Sequence, residues 1–224
     1  MLAVPRHSPL YKSRLESAAG IAEQLKLATR DLHRTVERTL AKTLFSPLLT
    51  ATEYLAILVA MQRSYTPLEA LLRQYPATRL LIAQRHKLDW LKADIAYVSE
   101  LSKGAMTPAS AIFRSTVEPP LPARSAVALN APNEAQALGV MYVMEGATLG
   151  GSPIQLALGR HPWLSGQGGL QFFNAYGAER SAMWMSFLET LQSYADQHPN
   201  SAPAIIAGAE YAFNAIHQPL LDIA

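Results

Sequence analysis

Apolar residues recur along this chain at helical spacing, one stretch after another. In residues 20–43, Ile21, Leu25, Ala28, Leu32, Val36 and Leu40 fall close to the ~3.6-residue repeat of a helix with one buried stripe. Thr50 or Thr52 can cap a second helix, with Glu53 early in it where the helix dipole favours an acid. Tyr54, Leu55, Leu58, Met61, Tyr65, Leu68 and Leu72 line that helix, and Pro67 is expected to bend it. Residues 78–104 hold one or two more helices, with Leu88, Leu91, Ile95, Val98 and Leu101 on one face. Residues 104–133 are punctuated by Pro108, Pro119, Pro120, Pro122 and Pro132 and read as loop, with a short helix at 108–115. His161 to Gly169 is a further loop, followed by helices at about 178–197 and 202–218. No alternating pattern bounded by hairpin turns occurs, so the predicted fold is all-α, one compact helical domain over 20–224 behind an N-terminal tail, 1–19.

One apolar stretch departs from simple helical logic. Leu138 to Leu158 begins as a good helix and then places Gly146, Gly150 and Gly151 where side chains belong. Each glycine costs a helix interior about 1 kcal/mol relative to alanine. Pro153 adds a larger penalty, since it lacks an N–H and its ring pushes against the carbonyl of Leu149. A core helix with all four is expected to bend and to show bare backbone on one face. Bare backbone suits either a tight helix crossing or the close approach of something flat.

Composition narrows the chemistry. The chain has 224 residues, half of them hydrophobic and 16% charged, enough for a sizeable core. Its net charge of +2 is too small to argue for nucleic acid or an anionic membrane. The absence of cysteine excludes disulfides, thiolate metal sites, iron–sulfur clusters and a cysteine nucleophile, and is compatible with a cytoplasmic location. No apolar run reaches the ~18 residues of a membrane span, and the basic, mixed N-terminus has no secretory h-region.

Six histidines are candidates for chemistry. His7 lies in the tail, His161 and His198 precede prolines in loops, and His86 and His217 sit near helix ends. His33 lies mid-helix beside the apolar stripe. A lone histidine there is more often a hydrogen-bonded core residue than a ligand. No metal-protease or di-iron spacing accompanies it; Glu145 has Thr148 three residues on and Glu37 has Leu40. One histidine and a glycine-opened helix suit a flat metal macrocycle, with an axial nitrogen on one face and close backbone on the other.

Two motifs carry a resemblance. LKLATRDLHRTVERTL at 25–40 resembles the proximal helix of the heme oxygenase family, L-[RK]-x-x-T-x-x-x-H-x-x-x-E, matched by Leu25, Lys26, Thr29, His33 and Glu37. YVMEGATLGG at 142–151 is similar to the distal helix of the bacterial branch, Y-V-x-E-G-S-x-L-G-G, which includes enzymes that supply bacteriophytochromes. The stretch from Phe173 to Phe187, with Tyr176-Gly177 and Trp184, resembles that branch as well. The resemblance implies O2- and electron-dependent cleavage of heme to biliverdin, iron and carbon monoxide, heme being both cofactor and substrate. Its implied site has His33 as axial ligand of the heme iron, Glu37 steadying that imidazole, Lys26 and Tyr142 on the propionates, and Gly146, Gly150 and Gly151 as the distal face. Lys26 is seven residues before His33, about 10 Å along the helix and on nearly the same face. A solvated lysine, a core tyrosine, and Glu37 paired with Arg34 or Arg38 are the plainer readings of these positions. Implied partners are heme, an electron donor such as ferredoxin, a reductase or ascorbate, and a bacteriophytochrome, with no nucleic acid and no membrane.

Two departures bear on turnover more than on binding. Relatives place an aspartate or serine near the distal glycines to anchor water; aligned on Leu149-Gly150-Gly151, this chain has Ala147, with no polar side-chain atom. Ser152-Pro153 stands where relatives continue with a longer polar residue. The alternatives are therefore a heme-binding or heme-sensing protein of the same fold without turnover, or a helical protein of another class, such as an enzyme acting on a different small ring.

Overall fold

A computed structural model describes residues 9–85, 87–104, 132–164 and 168–223, with the side chains of residues 9–19 undescribed. The helices are α1 Pro9–Leu44, α2 Ala51–Leu72, α3 Pro76–Ile82, α4 Lys87–Gly104, α5 Glu134–Gly146, α6 Gly151–Leu158, the single turn α7 Gln171–Asn174, α8 Arg180–Gln197 and α9 Ala202–Leu221. Short 3-10 turns occur at Ala147–Gly150, Pro162–Leu164 and Gly177–Glu179. No strand occurs among the described residues. The chain is all-α, as its periodicity predicts. The helix expected at 108–115 and the prolines 108 to 122 lie outside the described residues.

The first helix begins at Pro9, within the stretch read as a tail, and runs for 36 residues, about 54 Å. Its stripe differs in one place from the expected one: Thr29 is buried, and Ala28 faces solvent. Thr29 is accommodated there because its hydroxyl donates to the Leu25 carbonyl, 2.7 Å away, leaving its methyl for the core. At α2 the cap is Thr50, which forms a reciprocal capping box with Glu53 and so satisfies two donors that a helix start leaves free. Tyr54, Leu58, Met61, Tyr65, Leu68 and Leu72 are buried along α2 as their spacing predicts, and the helix continues through Pro67.

The fold is centred on α9, which packs against α1, α2 and α5. Its crossing with α5 is set by two glycines facing opposite backbones. A Cβ on Gly139 would stand 1.8 Å from the Ile205 carbonyl oxygen, and one on Gly208 would stand 2.0 Å from that of Gln136. The two helices therefore meet backbone to backbone, and α5 is fixed in height over α9. α9 also packs on α1, so α1 and α5 are both positioned through one shared helix.

Gly139→Ala and Gly208→Ala are each expected to lower stability by roughly 1–3 kcal/mol, because the backbones must separate. Gly20 of α1 has open space where its Cβ would be, so Gly20→Ala is expected to raise stability by about 0.5–1 kcal/mol. Chemical denaturation of the three variants beside the parent chain checks both signs.

Candidate functional site

α1 presents His33 with its side chain about half exposed. It is not a buried core histidine. Its ring meets Phe213 of α9 edge-on at 5.7 Å, and Nδ1 lies 3.5 Å from the Glu37 carboxylate one turn on. That distance is long for a hydrogen bond but within ion-pair reach. Arg34 is drawn to Asp31 at 3.8 Å, so Glu37 faces the histidine and not that arginine. With Nδ1 turned to a carboxylate, Nε2 is the nitrogen left to take a metal.

The second motif lies on the stretch from Tyr142 to Pro153. Here α5 ends at Gly146, the backbone tightens into a 3-10 turn over Ala147–Gly150, and α6 restarts at Gly151. The expected departure from a straight helix is this tightened turn. It also explains Pro153. The ring falls in the first turn of α6, where a missing N–H goes unnoticed, so the penalty expected for a helix interior does not arise.

The three glycines all have ordinary right-handed dihedrals, so space, not backbone freedom, is what they supply. Each supplies it to a different neighbour. A Cβ on Gly150 would meet nothing within 4 Å, so this residue faces open space. A Cβ on Gly146 would touch the Trp184 indole at 3.6 Å. A Cβ on Gly151 would stand 1.9 Å from the Phe173 carbonyl oxygen. Gly151 is thus buried against the chain and belongs to a tight packing contact, the plainer of the two uses anticipated for glycine here. Ala147 and Gly150 are exposed, and Leu149 is 43% exposed, an apolar surface beside bare backbone.

Lys26 is exposed and makes no ion pair with any described residue. Tyr142 is half-buried, with its ring 5.5 Å from Trp184. Burial pushes its phenol up, as does the charge of Glu23, which lies three residues from Lys26 on α1. The other described histidines are engaged elsewhere: His161 is buried beside Trp163, His198 stacks on Tyr194, and His217 bonds Thr39 at 3.1 Å. His7 and His86 lie outside the described residues. A groove of about 300 Å3 bounded by Gly20, Gln24, Asp196 and Ser201 lies apart, and none of the expected site residues lines it.

One cluster was not anticipated from the sequence. Glu145, the residue before Gly146, is 1% exposed and forms ion pairs with Arg85 and Lys87, both buried as well. The Tyr176 hydroxyl lies 3.1 Å from the same carboxylate and accepts from Lys87 Nζ at 2.7 Å. Burial pushes the Lys87 ammonium below its ordinary range, and the charge of Glu145 opposes that shift. A signal was present: Glu145 is the only charged residue between Leu138 and Leu158, and a lone acid in a buried stretch needs a cation.

The family model described as heme oxygenase matches residues 19–222, nearly the whole chain. The chain belongs to the heme oxygenase family. Its all-α architecture agrees with that fold. Comparison with the curated proteins gave no match. The residues present fit heme, the family's substrate. α1 carries a histidine with one nitrogen turned to a carboxylate, and the distal turn has backbone at Gly150 with nothing in front of it.

The unlike surroundings of the glycine pair lead to unlike variants. Gly150→Ala is expected to fold with a melting temperature close to that of the parent. Gly151→Ala is expected to lose roughly 1–3 kcal/mol as Phe173 is pushed away. Thermal melts of the two heme-free variants decide it.

Proposed function

We propose that this chain is a working heme oxygenase, cleaving heme to biliverdin, iron and carbon monoxide with O2 and electrons from an external donor. The observation that supports it best is the pairing of a half-exposed His33, backed by Glu37, with the side-chain-free backbone at Gly150. Heme supplies the iron that carries the redox chemistry and the ring that is opened. The chain's own residues bind and orient it. Glu37 keeps the imidazole proton on Nδ1, so that Nε2 is a neutral donor toward the iron. Lys26, a compact point charge on a flexible stem, is the propionate partner at the solvent edge, with Tyr142 beside it. Phe213, Trp184 and Leu149 supply apolar surface that excludes water from the ring faces. Gly146 and Gly150 let the distal backbone approach closely; Gly151 contributes by holding that backbone down on Phe173. No described helix is long and apolar enough to cross a membrane, and the absence of cysteine suits the reducing cytoplasm. A ferredoxin, a reductase or ascorbate would supply the electrons. A bacteriophytochrome is the receiver of product to which the distal motif points.

A second reading, heme binding without turnover, is favoured by one observation. Ala147 is exposed on the distal turn and offers no polar atom to water. Neighbouring hydroxyls do not replace it: Thr148 donates to the Glu145 carbonyl at 2.7 Å, and Ser152 is held by Arg180 at 2.6 Å. Water at the distal side would rest on backbone carbonyls.

Hemin added to the purified chain is expected to give a 1:1 complex with a Soret band that His33→Ala abolishes or shifts. Reduction of the wild-type complex with ascorbate, or with a ferredoxin system, should replace that band by biliverdin absorbance. Binding without biliverdin under both donors selects the second reading, and an unchanged spectrum in His33→Ala removes the ligand assignment.

The edge contact gives an independent check. Lys26→Glu is expected to weaken hemin binding more than Lys26→Ala does, by roughly two- to five-fold, and the difference should shrink in high salt. Hemin titrations at two ionic strengths measure it.

A further inference from the structure

We propose that Arg85, Glu145, Lys87 and Tyr176 form a buried anchor that sets where the distal backbone, Gly146–Gly150, stands over the heme ring, a positioning role that rests on the heme reading above.

The anchor grips the distal turn from behind. Glu145 is the last residue but one of α5, next to Gly146 and the tightened turn, and its carboxylate runs into the core. Arg85 and Lys87 take one carboxylate oxygen each, and the Tyr176 hydroxyl reaches the same group at 3.1 and 3.3 Å. The main chain of Glu145 is tied as well, since its carbonyl accepts from the Thr148 hydroxyl inside the turn at 2.7 Å. Side chain and backbone of one residue thus fix both the end of α5 and the start of the turn.

The same cluster holds the wall that faces the turn. Arg85 donates to the Met183 carbonyl at 3.4 Å. Met183 precedes Trp184, whose indole would be the first thing a side chain at Gly146 met and whose ring lies 5.5 Å from Tyr142. One guanidinium therefore fixes α5 through Glu145 and α8 through Met183. The spacing between Gly146 and Trp184 depends on it.

Tyr176 provides the third observation. It is the one non-glycine residue with positive φ among those described, at φ 59°, ψ −7°. A bulky residue in the left-handed region is strained by about 1–3 kcal/mol and persists only where its surroundings over-determine it. Here they do. Lys87 donates to its hydroxyl at 2.7 Å, Trp90 meets its ring edge-on at 5.2 Å, and the Lys87 ammonium lies 5.0 Å from the ring centre. Gly177, also at positive φ, completes the reversal that launches the chain toward α8.

Stability alone does not account for such a cluster. An apolar set of equal volume is often as stable as a buried ion pair or more so, because desolvating the charges offsets their attraction. What charged groups add is direction: their hydrogen bonds are satisfied in one arrangement and lost in a slide of an ångström, where methyl groups would repack. Cleavage at a defined ring position needs that order of precision in the groups above the ring.

The test uses Tyr176→Phe, which keeps the ring and deletes the hydroxyl, and Glu145→Gln, which keeps the shape and deletes the charge. Ile57→Val, in the α2 core, serves as a destabilised control. In the heme-free chain, amide exchange at 147–151 is expected to speed up about tenfold in Tyr176→Phe, a loss near 1.4 kcal/mol of local protection, with no such selective change in the control. In the ferrous carbon monoxide complex, the C–O stretching frequency should move in Tyr176→Phe and Glu145→Gln while the Soret band shows His33 still bound. Exchange that rises evenly over all helices, or a C–O stretch no different from that of the control, overturns the anchor. Should Glu145→Gln fail to fold, Tyr176→Phe decides alone. A wild-type chain that binds no hemin overturns the heme reading, while the exchange result still tells whether the cluster holds the turn.

Discussion

The placing of α5 and α1 relative to each other depends on how closely α5 approaches α9. At Gly139 and Gly208 neither helix has room for a methyl group, because each faces the other's carbonyl oxygen at about 2 Å from where a Cβ would be. Interiors are packed densely enough that a shift of this size has nowhere to dissipate. α9 carries α1 on another side, and Phe213 of α9 is the ring against which His33 rests. A change in the α5–α9 spacing would therefore move the distal backbone relative to the histidine without touching either.

The exposed surfaces of the proposed heme site are plain: half-exposed histidine, bare glycine, alanine, leucine. Such surfaces leave little polar area to desolvate when a flat apolar ring covers them, so binding energy comes from the ring's own burial. The polar interactions sit one layer back. Glu145 with its two cations lies behind the distal turn, and Arg180 ties Ser152 of α6 to the Phe173 and Asn174 carbonyls. Asp94, fully buried on α4, caps the next turn by accepting from the N–H groups of Gln171 and Phe172 at 3.0 and 2.8 Å.

Much of this was readable in the sequence, and the unreadable part has a common cause. The helices announced themselves through apolar spacing, and Thr50 with Glu53 announced the start of α2, because these are local properties of consecutive residues. The family was legible because the spacing around His33 and the distal glycines matches its motifs. What each glycine does was not legible. Gly150 and Gly151 are adjacent and chemically identical, yet one faces space and the other the carbonyl of Phe173, distant in sequence. Gly139 drew no notice, since a single glycine in an apolar helix looks incidental until its partner on α9 is known. The same holds for Arg85 and Lys87, which read as the polar start of a helix; only the fold brings them to an acid some sixty positions on. Pairings that span the chain are properties of the tertiary structure, and a sequence shows at most that some partner is required.

Ala147 is where these strands meet. In a site whose side chains do little more than bind, loss of a polar group from the distal turn leaves affinity to His33, Lys26 and apolar contact, none of which involves position 147. Turnover asks more of the turn, because water and the reacting groups must be held where the ring is opened. If a side chain no longer does this, backbone carbonyls must, and a carbonyl can be aimed only by fixing the backbone that bears it. The buried carboxylate behind Gly146, the strained tyrosine that supports it and the glycine pressed onto Phe173 all act on that backbone. On the proposed reading, a distal turn poor in polar side chains and rich in constraints from behind is what turnover with alanine at 147 requires.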